Sequence, residues 1–197
     1  MFIVVEGIDC SGKTSVCKAI AKQTDFRFEH EPTFSSEYAD SLNFKKLDAY
    51  QREFHFMLDR YKHQEVFTKY KNLIFDRYRL TGAVYASIFG PEALPMVHSI
   101  YGMPEFKKPD LTIFLDTVPS HALQLNELKK GTDEYSPHLT YENLSNLRFA
   151  FFDQIDIARK LWGENIILIS NPFGAFQETV QNVKNIILNK KLDFIPF

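Results

Sequence analysis

Apolar residues along this chain fall into short blocks separated by longer stretches with helical spacing. The first block, Phe2-Ile3-Val4-Val5, is a continuous apolar run of the kind that forms a buried strand. Further strand candidates are Phe26–Glu29, Leu73–Asp76, Leu111–Leu115 and Ile166–Ile169. Residues 15–23 place Val16, Ala19 and Ile20 on one helical face. Residues 47–70 read as one long helix, with Phe54, Met57, Leu58 and Tyr61 at helical spacing. A last helix is predicted over about 175–190. Pro91, Pro95 and Pro104 break up the region after residue 89, and the polar, turn-rich residues 129–140 read as a mobile loop. Five short strands alternating with helices predict an α/β fold with a parallel sheet and crossover helices.

Neither repeats nor linkers divide the 197 residues, so a single domain over 1–197 is expected. Ligands of such sheets bind beyond the carboxyl ends of the strands. Those ends carry Glu6, Glu31 with Pro32, Asp76-Arg77, Asp116 and Ser170-Asn171. A formal charge of −2 argues against nucleic acid or an acidic membrane as partner. No apolar run reaches membrane-spanning length, and the opening strand is read as leaving no room for a signal peptide. Cys10 and Cys17 are poor disulfide partners across a turn and a helix, which fits a reducing cytoplasm. Most of the 19 Phe are expected in the core, and the terminal Phe194-Ile195-Pro196-Phe197 is expected to pack on the sheet.

The first strand leads into Gly7-Ile8-Asp9-Cys10-Ser11-Gly12-Lys13-Thr14, then Ser15. This run matches the phosphate-binding pattern G-x-x-x-x-G-K-[ST] at every fixed position. Glycines let backbone N–H groups approach phosphates, and the following helix N-terminus favours negative charge. Lys13 would reach the β- and γ-phosphates, and the Thr14 hydroxyl would ligate Mg²⁺. Asp76 at a strand tip is the carboxylate expected to partner that metal, directly or through water, with Arg77 beside it to meet phosphate. Phe56 and Arg60 share a helical face at i and i+4, where a ring could stack a base and a guanidinium fork onto a phosphate. Taken alone, Phe56 reads as core and Arg60 as a surface ion pair.

Together these pieces resemble the thymidylate kinase family of nucleoside monophosphate kinases. Phe2-Ile3-Val4-Val5-Glu6-Gly7-Ile8-Asp9 with Ser11-Gly12-Lys13-Thr14 is similar to its opening, and Glu31-Pro32-Thr33 to its Glu-Pro turn. Phe56, Asp59, Arg60 and His63 resemble its acceptor helix. Asp76-Arg77-Tyr78 with Thr81, Gly82 and Tyr85 resembles its Asp-Arg-Tyr segment, and Pro109–Asp116 its fourth strand. The match runs in order over about 2–116 and weakly to 152. The resemblance implies a P-loop NTPase three-layer fold with a lid at about 124–142. It also implies Mg²⁺-dependent transfer from ATP to a deoxynucleoside monophosphate, with dTMP the expected acceptor, in a homodimer. Residue by residue, Lys13 and the loop amides would hold ATP, with Thr14 on Mg²⁺. Asp9 would approach the acceptor and the metal. Phe56 would stack thymine, Arg60 would orient base or phosphate, and Arg77 would bind the acceptor phosphate. Thr81 would touch the base edge, and Tyr85 would crowd the 2′ position.

The chain departs from the family at Cys10, where members often carry Arg. It has no Arg between Arg79 and Arg148, and it has Glu29-His30 where bacterial members place an Arg before the Glu-Pro turn. Lys129, Lys130 and Arg148 are therefore the candidates to neutralise the transferring phosphoryl. Both dTMP and dUMP are expected as acceptors, dTMP the better, with dCMP poor. One alternative is a deoxynucleoside kinase acting on a 5′-hydroxyl. A P-loop regulatory protein is disfavoured, because the Asp-x-x-Gly at Asp9–Gly12 lies inside the phosphate loop and Asn189-Lys190 lacks its Asp.

Overall fold

The structure is a computed structural model that describes all residues except 34–37, 39, 40, 42, 44, 45, 133, 134 and 194–197, so the terminal Phe194–Phe197 lies outside the described residues. Five strands form one parallel sheet: β1 (Phe2–Glu6), β2 (Arg27–His30), β3 (Leu73–Asp76), β4 (Leu111–Asp116) and β5 (Ile166–Ser170), in the order β2-β3-β1-β4-β5. All five predicted strands are present, shifted by at most a residue. β1 is central, pairing Ile3 with Ile74 on one side and Val5 with Ile113 on the other.

Strand alternation sorts the apolar side chains onto two faces. Ile3, Val5, Ile74, Ile113 and Leu115 pack against Val16, Cys17 and Ile20 of α1 (Lys13–Gln23) and against Val180, Val183 and Ile187 of α8 (Phe176–Asp193). On the opposite face Phe114 packs with α4 (Arg79–Phe89), α5 (Leu94–Tyr101) and α7 (Tyr141–Trp162). Phe2, Phe75 and Tyr78 meet edge to face there, with Phe67 of α3 (Gln64–Lys69) against Phe2. The expectation that most Phe are core fails: among the described residues Phe2, Phe26, Phe75, Phe106, Phe114 and Phe151 are buried, while Phe54, Phe89, Phe149, Phe173 and Phe176 are exposed.

The long helix expected over 47–70 is two helices, α2 (Ala49–Lys62) and α3, which meet at His63. Asp48 starts α2 with a capping box: the Gln51 N–H donates to Asp48 Oδ1 at 2.7 Å, and the Gln51 side chain answers the Asp48 N–H. Of the predicted stripe on α2, only Met57 is buried; Phe54, Leu58 and Tyr61 are exposed. The segment assigned to a lid starts inside α6 (Pro119–Glu127) and ends in the first turn of α7, whose Thr140 cap accepts from the Asn143 N–H. The carboxyl ends of β1, β3 and β4 thus face one rim, where the loops that follow them meet.

Candidate active site

The loop after β1 turns through positive φ at Gly7, Cys10 and Gly12, and α1 begins at Lys13. A Cβ on Gly7 would lie 2.9 Å from the Leu115 carbonyl oxygen, so only glycine fits there. The loop curls around the Lys13 ammonium, which donates to the Ile8 carbonyl at 2.7 Å and to Ser11 Oγ at 3.3 Å. Burial presses the Lys13 pKa down to about 8; Arg77 adds to that push, while Asp76, Asp9 and Glu6 oppose it. Just past the end of β5, the Asn171 side chain donates to the Ser11 carbonyl at 2.7 Å and steadies the loop.

Thr14 follows Lys13 and donates its hydroxyl hydrogen to Asp76 Oδ2. The other oxygen, Asp76 Oδ1, is buried with no hydrogen-bond partner. A hydroxyl and a carboxylate oxygen side by side, one lone acceptor unused, are the hard donors that suit Mg²⁺. The described residues hold no cluster of three His, Cys, Asp or Glu side chains for a metal. A divalent ion here would therefore draw the rest of its shell from phosphate and water.

Asp9 leans away from that pair. Its Oδ1 accepts from Arg77, and its Oδ2 accepts from the Tyr85 hydroxyl at 2.7 Å. Burial would raise this carboxyl, but the charges of Arg77 and Lys13 and the two hydrogen bonds outweigh it and hold Asp9 below its usual range. Arg77 itself sits at φ 72 with its N–H on the Val5 carbonyl, which carries the guanidinium off the tip of β3 toward Asp9.

Beyond Arg77 opens a cavity of about 260 Å³, lined by Glu31, Pro32, Glu53, Phe56, Arg60, Arg77, Thr81, Gly82 and Tyr85. Phe56 is half-buried on its wall rather than in the core. Arg60 is not a surface ion pair: at 3% exposure it donates from Nε to Glu31 Oε2 at 2.6 Å and from Nη1 to Glu53 Oε1 at 2.9 Å. Two buried carboxylates keep its charge in place. Asp59 accepts from the Thr33 N–H at 2.8 Å and from its hydroxyl, fixing the Glu31-Pro32-Thr33 turn against α2. His63 packs edge-on to Phe75, with Nδ1 3.4 Å from Glu31.

Thr81 lines the cavity, but its hydroxyl is given to Glu6 Oε2, while Glu6 Oε1 accepts from the Tyr78 and Thr81 N–H groups. Glu6 thereby caps the start of α4 from the end of β1. Burial drives its carboxyl up to about 7, against the opposing pull of Thr81 and Arg77.

The three lid-side cations separate. Arg148 forks onto Asp116 at 2.6 and 2.9 Å and covers the Phe152 ring, so its guanidinium is engaged. Lys130 is 71% exposed and stands 3.8 Å from Glu127. Lys129 is the one whose charge is felt at the phosphate loop, where it counters the rise that burial imposes on the Cys10 thiol. Cys10 also donates to Asn126, whose side chain exchanges two hydrogen bonds with the Ser136 backbone. The thiols of Cys10 and Cys17 are both free.

Several site residues escape the motif reading. Glu53 lies three residues before Phe56 and seven before Arg60, a helical spacing that could have drawn it in. Tyr101 and Asn126 carry no signal in the sequence, since only the fold brings them to the site.

A thymidylate kinase family profile matches residues 5–153. A probable thymidylate kinase of Picrophilus torridus is 33% identical over 158 residues, covering 74% of this chain and 78% of that protein. A probable thymidylate kinase of Methanococcus maripaludis is 32% identical over 214 aligned positions, covering 99% and 96%. Among solved structures, thymidylate kinase from Candida albicans superposes with a TM-score of 0.74 at 18% identity, covering 96% of this chain and 91% of that one. Deoxyadenosine kinase from M. mycoides superposes with a TM-score of 0.71, also at 18% identity, covering 99% and 100%. At that identity both likenesses speak to the fold, a P-loop kinase sheet with helices on each side.

Proposed function

The chain belongs to the thymidylate kinase family, and from that premise we propose that it transfers the γ-phosphoryl of ATP to dTMP, with Mg²⁺, giving dTDP and ADP. One observation carries the reading. Asp9 stands on the phosphate loop yet bonds to Arg77 and Tyr85, which line the cavity, so the donor cradle and the acceptor cavity share a wall. A phosphate held by Arg77 in the cavity would face one held by Lys13 and the loop amides across that wall.

The acceptor is already a phosphate anion, so no strong general base is required, and the work is positioning and charge neutralisation. The loop amides and Lys13 bind the β- and γ-phosphates. Arg77 orients the acceptor phosphate, with Asp9 fixing its guanidinium. Phe56 stacks the base, and Tyr85 closes the space beside the sugar. Thr14 and Asp76 would hold Mg²⁺, which when bound offsets the phosphate charge. Lys129 supplies a cation at the loop; Arg148 and Lys130, tied or turned to solvent, support it from farther off. The segment after α6 closes over the phosphates and excludes water.

The exposed Tyr50, Phe54, Leu58 and Tyr61, at helical spacing on α2, support a homodimer through that face, which light scattering would test. Cytoplasmic residence belongs to the same proposal. Two free thiols favour it, and no helix of the described residues is long and apolar enough to cross a membrane.

A coupled ADP-release assay with ATP, Mg²⁺ and dTMP, dUMP, dCMP, dGMP, AMP or thymidine tests the proposal. The expected order is dTMP, then dUMP, with dCMP poor, and with turnover lost in Lys13→Ala and Arg77→Ala. Preference for dCMP or dGMP would overturn the base assignment. Turnover of thymidine alone would move the chain to the nucleoside kinases.

A further inference from the structure

The base end of the cavity sets one guanidinium between two carboxylates, and its hydrogen-bonding capacity is not exhausted. A guanidinium has five N–H donors and a carboxylate accepts at both oxygens. Arg60 spends Nε on Glu31 Oε2 and Nη1 on Glu53 Oε1 and the Tyr101 oxygen. The Tyr101 hydroxyl in turn donates to the same Glu53 Oε1. Among the described residues, both bonds that reach Glu53 end on Oε1, and those that leave Arg60 use Nε and Nη1. Glu53 Oε2 and Arg60 Nη2 remain, on two residues that line the cavity, and neither atom is among the buried polar atoms without a partner.

Gly82 makes this convergence possible. A Cβ there would lie 2.5 Å from Arg60 Nη1, 2.5 Å from Glu53 Oε1 and 2.7 Å from the Tyr101 hydroxyl. The arrangement also fixes which way Glu53 faces, because two donors hold Oε1. Arg77 lines the same cavity and supplies a cation for an anionic group. The cavity thus offers a cation for a phosphate, and a carboxylate acceptor beside a guanidinium donor for a planar edge. An imide edge, N–H next to C=O, is the complement of that pair.

We propose that Glu53 is a specificity-determining residue for the acceptor base: its Oε2 accepts the N3–H of thymine while Arg60 Nη2 donates to the neighbouring carbonyl. The inference rests on the proposed dTMP reading, and a binding measurement separates the two. A polar site built for an N–H strongly rejects an analogue without it, because the acceptor is left unpaired. Calorimetric titration of the full chain should show N3-methyl-dTMP binding at least about 100-fold more weakly than dTMP. In Glu53→Gln the two donors still demand an oxygen at the Oε1 position, so the amide NH₂ turns to the cavity and opposes N3–H. Affinity for dTMP should fall at least about tenfold, with ATP affinity held within about twofold. In Glu53→Ala the N-methyl group gains room, and the preference for dTMP over its N3-methyl analogue should collapse to within about threefold. A purely structural counter-ion would lower affinity for both nucleotides equally. Equal binding of dTMP and N3-methyl-dTMP by the wild type, or an unchanged ratio in Glu53→Ala, would overturn the proposal. Binding that follows the expected pattern without turnover would overturn the kinase reading and leave the role of Glu53 standing.

Discussion

On the proposed function, the binding groups at the phosphate end of the cleft are backbone amides on a loop that turns through Gly7 and Gly12, with a buried ammonium, that of Lys13, inside it. At the base end they are the side chains of Glu31, Glu53, Arg60 and Tyr101, set against one another in a buried ion network. The first region stores its specificity in main-chain geometry, fixed by Gly7 and Gly12, with Lys13 and Thr14 the side chains it needs. The second stores it in charge balance, where removal of one member strands the others. One end should therefore fail in rate and the other in folding.

The contrast breaks if Lys13→Ala unfolds the protein. Its expected effect, the largest here, is a loss of about 10³–10⁵ in kcat, the scale for a cation on a transferring phosphoryl, with the melting temperature nearly unchanged. Arg60→Ala should do the reverse and act on stability. It leaves Glu31 and Glu53 as buried, unpaired carboxylates, which costs about 3–5 kcal/mol and lowers Tm by about 10 °C in calorimetry.

Glu6 lies between the two regions and sharpens the comparison through pH. Its carboxyl is raised in the folded chain from 4.5 to about 7, so the fold favours its protonated form. That contribution to stability is complete below about pH 4.5, declines as pH rises to about 7, and is flat above. The difference in stability between wild type and Glu6→Gln should therefore shift by about 3 kcal/mol over that window. A pH-independent difference would refute it. Gly82→Ala forces a methyl into the Arg60–Glu53 contact and should cost about 1–3 kcal/mol, with a raised KM for dTMP. The smallest effect belongs to Lys130→Ala, exposed and loosely paired, where stability should stay within about 0.5 kcal/mol.

The same contrast explains what could be read from the chain. The phosphate loop is contiguous, and its glycines and lysine are needed at fixed spacing, so residues 7–14 were legible as a unit. The strands other than β2 were legible because each is a short apolar block, and β1 is buried at all five positions, whereas β2 is Arg27-Phe28-Glu29-His30 with both ends exposed. The base end was legible only in part. Phe56 and Arg60 share a helix face, but whether Arg60 is buried depends on Glu31 and Tyr101, far away in sequence. The long helix over 47–70 failed as one piece because its exposed stripe continues the apolar period, while the turn at His63 has no glycine or proline to mark it. Thr81 has the spacing of a base contact, yet its hydroxyl answers a carboxylate 75 positions earlier. Lid cations could be named by sign alone; their pairing with Asp116 and Glu127 needed the folded chain.

The central place of β1 has a consequence for how the protein comes to be made. Its neighbours are β3, at Leu73–Asp76, and β4, at Leu111–Asp116, so β1 leaves the ribosome about 70 residues ahead of its first partner and about 110 ahead of its second. At about 5–20 residues per second, the wait for β3 alone lasts roughly 4–14 s. Through it, Phe2-Ile3-Val4-Val5 stays an unpaired apolar segment on a nascent chain, and the phosphate loop behind it has no wall to lean on. The phosphate loop is thus synthesised well before it becomes competent, and a ligand that binds the cradle can act only on a chain already grown past β4.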